Sequence, residues 1–151
     1  MRYILALVLS LALLPAAQAA EWARLDIPNT TDEYFFDRSK LVVNGNEVTY
    51  WKKVQFMPPR PVKQGVASST LMRERIDCRE HTLRLLSFVY HDAQGAVIEY
   101  VADAEQAGAP IIPDTVGDRF EQVLCALAHE SPRESAGDLA PLAPRMEPNA
   151  L

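Results

Sequence analysis

Cys78 and Cys125 are the two cysteines of this 151-residue chain, and how they can be used limits the fold more than any other feature. The N-terminus decides their redox state. Arg2 precedes an apolar run from Tyr3 to Leu14, a helix-ending Pro15 and the small-x-small pattern Ala17-Gln18-Ala19, which together predict a secretory signal cleaved after Ala19 or Ala20. The apolar run falls short of the roughly 20 residues that span a bilayer, so no membrane span is expected. The residue immediately after the cleavage point, Ala20 or Glu21, is not a cysteine, which also argues against an N-terminal lipid anchor. In an oxidising compartment two thiols are expected to pair, because two thiolates alone do not complete a tetrahedral metal site. A redox pair would be expected as Cys-x-x-Cys, which these residues are not. Closing a loop of this size is worth about 4 kcal/mol in the chain-entropy model, an upper figure.

The chain from 21 to 129 is long enough for one core, and its patterning is mostly that of strands. Glu21–Ile27 reads as a first strand closed by Pro28-Asn29, and Asn29-Thr30-Thr31 as a loop. Tyr34–Asp37 is short and aromatic, Arg38-Ser39-Lys40 breaks the run, and Leu41-Val42-Val43 resumes it. Asn44-Gly45 is a hairpin signal, with both residues expected at the centre of a type I′ turn. The return strand, Glu47–Phe56, alternates. Val48, Tyr50, Val54 and Phe56 fall on one face with Lys52 among them, and Glu47, Thr49, Trp51, Lys53 and Gln55 on the other.

The stretch 58–65 holds Pro58, Pro59 and Pro61 and is expected to be a basic loop outside any ladder. Val66–Cys78 and Thr82–His91 are the next strands. The second is apolar on both faces, with Leu83, Leu85 and Val89 against Leu86, Phe88 and Tyr90, which predicts a central position. After a turn at His91–Gly95, Val97–Val101 forms a last strand. Asp114 or Thr115 can cap a helix on which Val116, Phe120, Val123, Leu124 and Leu127 make one apolar stripe. The expected fold is α+β: a single antiparallel sheet of about six strands, with one C-terminal helix packed on it and tied by the Cys78–Cys125 bond. Residues 130–151, with Pro132, Pro141, Pro144 and Pro148 and no aromatic residue, predict a tail without a fixed fold.

Chemistry is hard to find in these residues. His81, His91 and His129 lack metal-ligand spacing, and neither a Gly-x-Ser-x-Gly elbow nor a glycine-rich phosphate loop is present. No enzyme, metal or cofactor is therefore expected. A formal net charge of −5 makes nucleic acid a poor partner. The one constellation suited to binding is basic and aromatic: Trp51 and Lys53 on one strand, Arg73 and Arg75 on another, Arg60 and Lys63 between them. Such a surface suits a sulphated glycan or an acidic protein segment.

The order and spacing of several landmarks resemble the surface-adhesin protein E family of Gram-negative bacteria. They are Trp22, Tyr34–Ser39, Asn44–Trp51, Asp77-Cys78, Leu83-Arg84, Gly95, Pro113–Gly117 and Cys125. The resemblance covers nearly all of 21–127. It implies an antiparallel sheet with a C-terminal helix held by Cys78–Cys125, and adhesion through host extracellular-matrix or serum proteins, with a homodimer as one possible form. The competing expectation is a periplasmic structural or accessory protein of the envelope with no host ligand.

Overall fold

The structure, a computed structural model, describes residues 19–102 and 107–130. Most of the predicted signal segment and the tail beyond Glu130 lie outside the described residues. Among the described residues eight strands form one antiparallel sheet, and one helix lies on it. The strands are β1 (Trp22–Leu25), β2 (Glu33–Asp37), β3 (Val42–Asn44), β4 (Glu47–Val62), β5 (Gly65–Asp77), β6 (Thr82–His91), β7 (Val97–Val101) and β8 (Ala109–Pro110). The helix is α1 (Val116–Glu130). Among the described residues no helix is long and apolar enough to cross a membrane.

The expected count of about six strands is therefore too low. The sheet runs β1-β2-β4-β5-β6-β7, with β3 on β4 and β8 on β6. β2 and β3 lie in succession along one edge of β4, Glu33–Phe36 opposite Gln55–Lys52 and Val42–Asn44 opposite Thr49–Glu47. The 3₁₀ turn Arg38–Lys40 separates them, with the Asp37 carboxylate accepting from the Ser39 amide (3.0 Å) and hydroxyl (2.6 Å) and from the Glu21 amide (3.0 Å). Burial pushes the Asp37 carboxyl up, but these hydrogen bonds and nearby Lys40 outweigh it and hold it below its usual value. β8 escapes a sequence reading because it is only two residues long and one of them is proline.

Three local expectations are also corrected. The stretch 58–65 is mostly not a loop: β4 continues to Val62 and β5 begins at Gly65, with Arg60, Pro61 and Val62 opposite Ala67, Val66 and Gly65 and only Lys63-Gln64 left as the turn. A register shift between Gln55 and Arg60 takes Pro58 and Pro59 out of the ladder, and β2 ends at the Gln55 rung, leaving one edge of β4 open beyond it. Prolines are tolerated at bulges and open edges. The β3–β4 turn centres on Gly45 and Asn46, flanked by the Asn44–Glu47 pair, and only Gly45 has positive φ (59°). That is the glycine-first pattern of a II′ turn, not I′. Lastly, β6 is next to the edge strand β7, and the centre belongs to β4 and β5.

The double-sided apolar pattern of β6 has another cause. A register shift opposite Arg73/Glu74 pairs Ser87 with Arg73 and Leu85 with Glu74, leaving Leu86 as the extra residue. Cross-strand partners share a face, so one inserted residue reverses the alternation. Leu83 and Leu85 thereby share the inner face with Phe88 and Tyr90.

The core lies between the inner sheet face and α1. Leu25, Phe36, Val48, Tyr50 and Ile76 meet Phe120 and Leu124 of the helix, and Tyr50 stacks on Phe120 with centroids 5.6 Å apart. Thr115 starts α1, its hydroxyl oxygen accepting from the Asp118 amide (3.4 Å) while the Asp118 carboxylate accepts from the Asp114 amide (3.0 Å). The Cys78–Cys125 disulfide joins the end of β5 to the middle of α1, with Cα atoms 5.8 Å apart and a sequence separation of 47. His81 and Glu121 add a polar contact at 2.7 Å beside it. α1 covers only one half of the inner face, and a second apolar cluster of Val54, Phe56 and Ala67 lies further along the β4–β5 hairpin.

Candidate binding surfaces

The period of two in β4 sends adjacent side chains to opposite faces of the sheet. On the outer face, away from α1, cross-strand pairing sets residues in rows. Trp51 stands opposite Arg73, and Arg73 opposite Ser87; Thr49 stands opposite Arg75, and Arg75 opposite Arg84. A third row runs Arg24, Phe35, Lys53, Leu71, Val89 and Tyr100 across six strands.

Within these rows Lys53 carries its ammonium over two rings, 4.9 Å from the Trp22 centroid and 4.7 Å from that of Phe35. Arg75 is partly spent, bonding the Thr49 hydroxyl (3.2 Å) and the Glu47 carboxylate (3.3 Å). Lys53, Arg73 and Arg84 have no carboxylate partner among the described residues.

The inner face handles charge differently. Lys52 is 9% exposed and Glu74 3%; their ion pair is 2.6 Å long, and the second Glu74 oxygen accepts from the Tyr50 hydroxyl at 2.6 Å. Phe120 lies over the Lys52 ammonium, 5.3 Å from its centroid. Burial, the Glu74 charge and their hydrogen bond push the Tyr50 phenol well above its usual 10.0. Beyond α1 an open groove of about 360 Å³ runs beside this pair, between the sheet and the far end of the β4–β5 hairpin. Arg60 borders it, pairing with the buried Asp32 carboxylate and standing 4.9 Å over the Phe56 ring. Asp32 also accepts from the Met57 amide at 3.0 Å.

Of the six residues the sequence put on one binding surface, four meet. Trp51, Lys53, Arg73 and Arg75 share the outer face, while Arg60 turns to the groove and Lys63 sits exposed in the β4–β5 turn. Trp22, Phe35 and Arg84 belong to the outer surface as well. Their alternation with Trp51 and Arg73 could have been found only with the register in hand. The inner Lys52–Glu74–Tyr50 triad left one trace in the sequence: a lysine in phase with Val48, Tyr50 and Val54.

Fold and surfaces together define a disulfide-clamped sheet-and-helix domain with one charged face left open by its helix. Residues 22–126 match the sequence profile of surface-adhesin protein E, and the chain belongs to that family. Solved structures of Haemophilus influenzae protein E are similar to it. Crystal form II is 20% identical, with a TM-score of 0.55 and coverage of 77% of this chain and 95% of that one. A further protein E structure is 19% identical, with a TM-score of 0.50 and coverage of 76% and 90%. At this identity the likeness is one of fold. No protein of curated function matches this chain.

Proposed function

We propose that this is an exported, non-enzymatic, adhesin-like binding module, released by cleavage of residues 1–20. Its outer sheet face takes an acidic segment of a host extracellular-matrix or serum protein at the cell envelope. Family membership supports the adhesin-like role. The observation that carries the choice of face is the set of cations without carboxylate partners among the described residues, Lys53, Arg73 and Arg84, on the same face as Trp22, Phe35 and Trp51. Arg73 and Arg84 are exposed and the half-buried Lys53 lies over two rings, so together they offer an acidic partner both charge and contact area at little cost in desolvation.

The test is a binding screen of the mature chain against immobilised matrix and serum proteins, repeated with the variant K53E/R73E/R84E. For any protein bound, the triple reversal should weaken binding at least tenfold, and rising salt should weaken wild-type binding. Circular dichroism establishes that the variant is folded. Undiminished binding by the folded variant would remove the outer face from the reading. Protease treatment of intact cells separates the envelope-surface role from a periplasmic one, since a protein that survives it is not displayed.

A further inference from the structure

The groove on the uncovered half of the inner face has a recognition chemistry of its own. Tyr34, Phe56 and Tyr90 present rings to it, and Lys52 and Arg60 present the cations. Both cations are already neutralised, by Glu74 and by Asp32. An anionic ligand would therefore meet no free charge. Yet donors are in surplus: an ammonium has three N–H groups and a guanidinium five, and each here meets one carboxylate among the described residues. The fitting occupant is uncharged, apolar and rich in acceptors but poor in donors.

A proline-rich peptide has that composition. Each proline lacks an N–H, extended proline-rich chains leave their carbonyls unbonded, and aromatic-lined grooves are their usual receptors. This chain carries such a segment in Leu139-Ala140-Pro141-Leu142-Ala143-Pro144, uncharged and flanked by Asp138 and Arg145. α1 ends at Glu130. A tether of residues 131–138 can extend about 26 Å at roughly 3.3 Å per residue, about twice the radius of gyration of roughly 13 Å expected for a domain of about 100 residues. Lys52 on the groove wall touches Phe120 of α1, ten residues or about 15 Å along the helix from Glu130, so this tether reaches the groove. Tethering also supplies an effective concentration in the millimolar range, so a weak contact is populated.

We infer that the groove is the seat of the chain's own segment Leu139–Pro144, bound in cis. The inference is independent of the outer-face reading, since it concerns the opposite side of the sheet. The test is methyl NMR on the full exported chain with labelled leucine and methionine. Methyls of Leu139 or Leu142 should show contacts to the rings of Tyr34, Phe56 or Tyr90, unchanged on dilution. In the variant L139S/L142S the Met72 methyl, which lines the groove, should shift, while the exposed Met57 methyl should not.

Leucine methyls at free-peptide positions, with Met72 unmoved in the variant, would overturn the inference. So would contacts that appear only between labelled and unlabelled copies, which would make the occupant a second chain's tail. A small molecule that copurifies with the chain and occupies the groove would overturn it as well.

Discussion

Lys52 and Lys53 are neighbours on β4 with opposite fates. Lys52 points inward, lies under Phe120 and is bound by Glu74; Lys53 points outward over Trp22 and Phe35 and meets no carboxylate among the described residues. The same division holds for the two faces. On the inner side Lys52 and Arg60 are each matched by a nearly buried carboxylate, whereas Lys53, Arg73 and Arg84 outside are left unmatched among the described residues. A charge desolvated by the fold has to be neutralised by the fold: Glu74 does this for the buried Lys52 and the exposed Arg60 for the buried Asp32, while a cation facing water needs no partner. The unmatched cations are thus the ones free to contribute to a partner.

The strongest way to break this comparison is to remove the inner counterion. Glu74→Leu leaves Lys52 buried and unpaired, and should cost about 3–5 kcal/mol in urea unfolding. Replacing Tyr50, Lys52 and Glu74 together by Phe, Met and Leu should recover most of that loss, since shape-matched apolar groups often substitute for a buried ion pair. Full stability in Glu74→Leu alone would mean that Lys52 reaches water and that the two faces do not differ.

Reduction of Cys78–Cys125 comes next, with a loss of up to about 4 kcal/mol by chain entropy. It should loosen α1 over the inner face, a change visible as increased hydrogen exchange at Phe120 and Leu124, while leaving the outer rows in register. Equal loosening of both faces would show that the bond holds the whole sheet and not the helix alone.

A subtler sign of the inner triad lies in base. Tyr50 is held neutral in the folded state, with its phenol raised well above 10.0. The unfolded chain releases that proton near pH 10, so the contribution is fully present below pH 10 and is lost as pH rises toward the folded value. The difference in stability between wild type and Tyr50→Phe should therefore be constant below pH 9 and move in favour of the variant above pH 10. A difference that stays flat to pH 11 would contradict the burial of Tyr50 against Glu74.

Much of this was legible because β-strand alternation is local. The bounds of β6 and β7, the apolar stripe of α1 and the pairing of Trp51 with Lys53 on one strand and of Arg73 with Arg75 on the next follow from period and punctuation alone. What was hidden depends on pairing. Pro58–Pro61 reads as a loop until the edge of β4 beyond Gln55 is seen to be open. The two apolar faces of β6 read as a central strand until the inserted Leu86 reverses their parity. Arg60 could not be separated from the binding surface without Asp32, which reaches it from the turn before β2 across a gap of 28 residues. Nor could Lys52 be assigned to the core before the register placed Glu74 opposite Tyr50.

The smallest effects are expected outside, and their smallness is the point. Arg73→Ala and Arg84→Ala remove cations that bond no carboxylate among the described residues, so each should change stability by no more than about 0.5 kcal/mol. Lys53→Met should cost slightly more, about 0.5–1 kcal/mol, because its ammonium rests on two rings. Urea midpoints at equal slope give the measurement. If Arg73→Ala instead costs above 1 kcal/mol, its guanidinium is part of the fold, and the outer row has less to offer a partner. If all three stay small while K53E/R73E/R84E abolishes binding, the residues act in recognition without acting in stability, which separates a docking surface from the exposed side of a core.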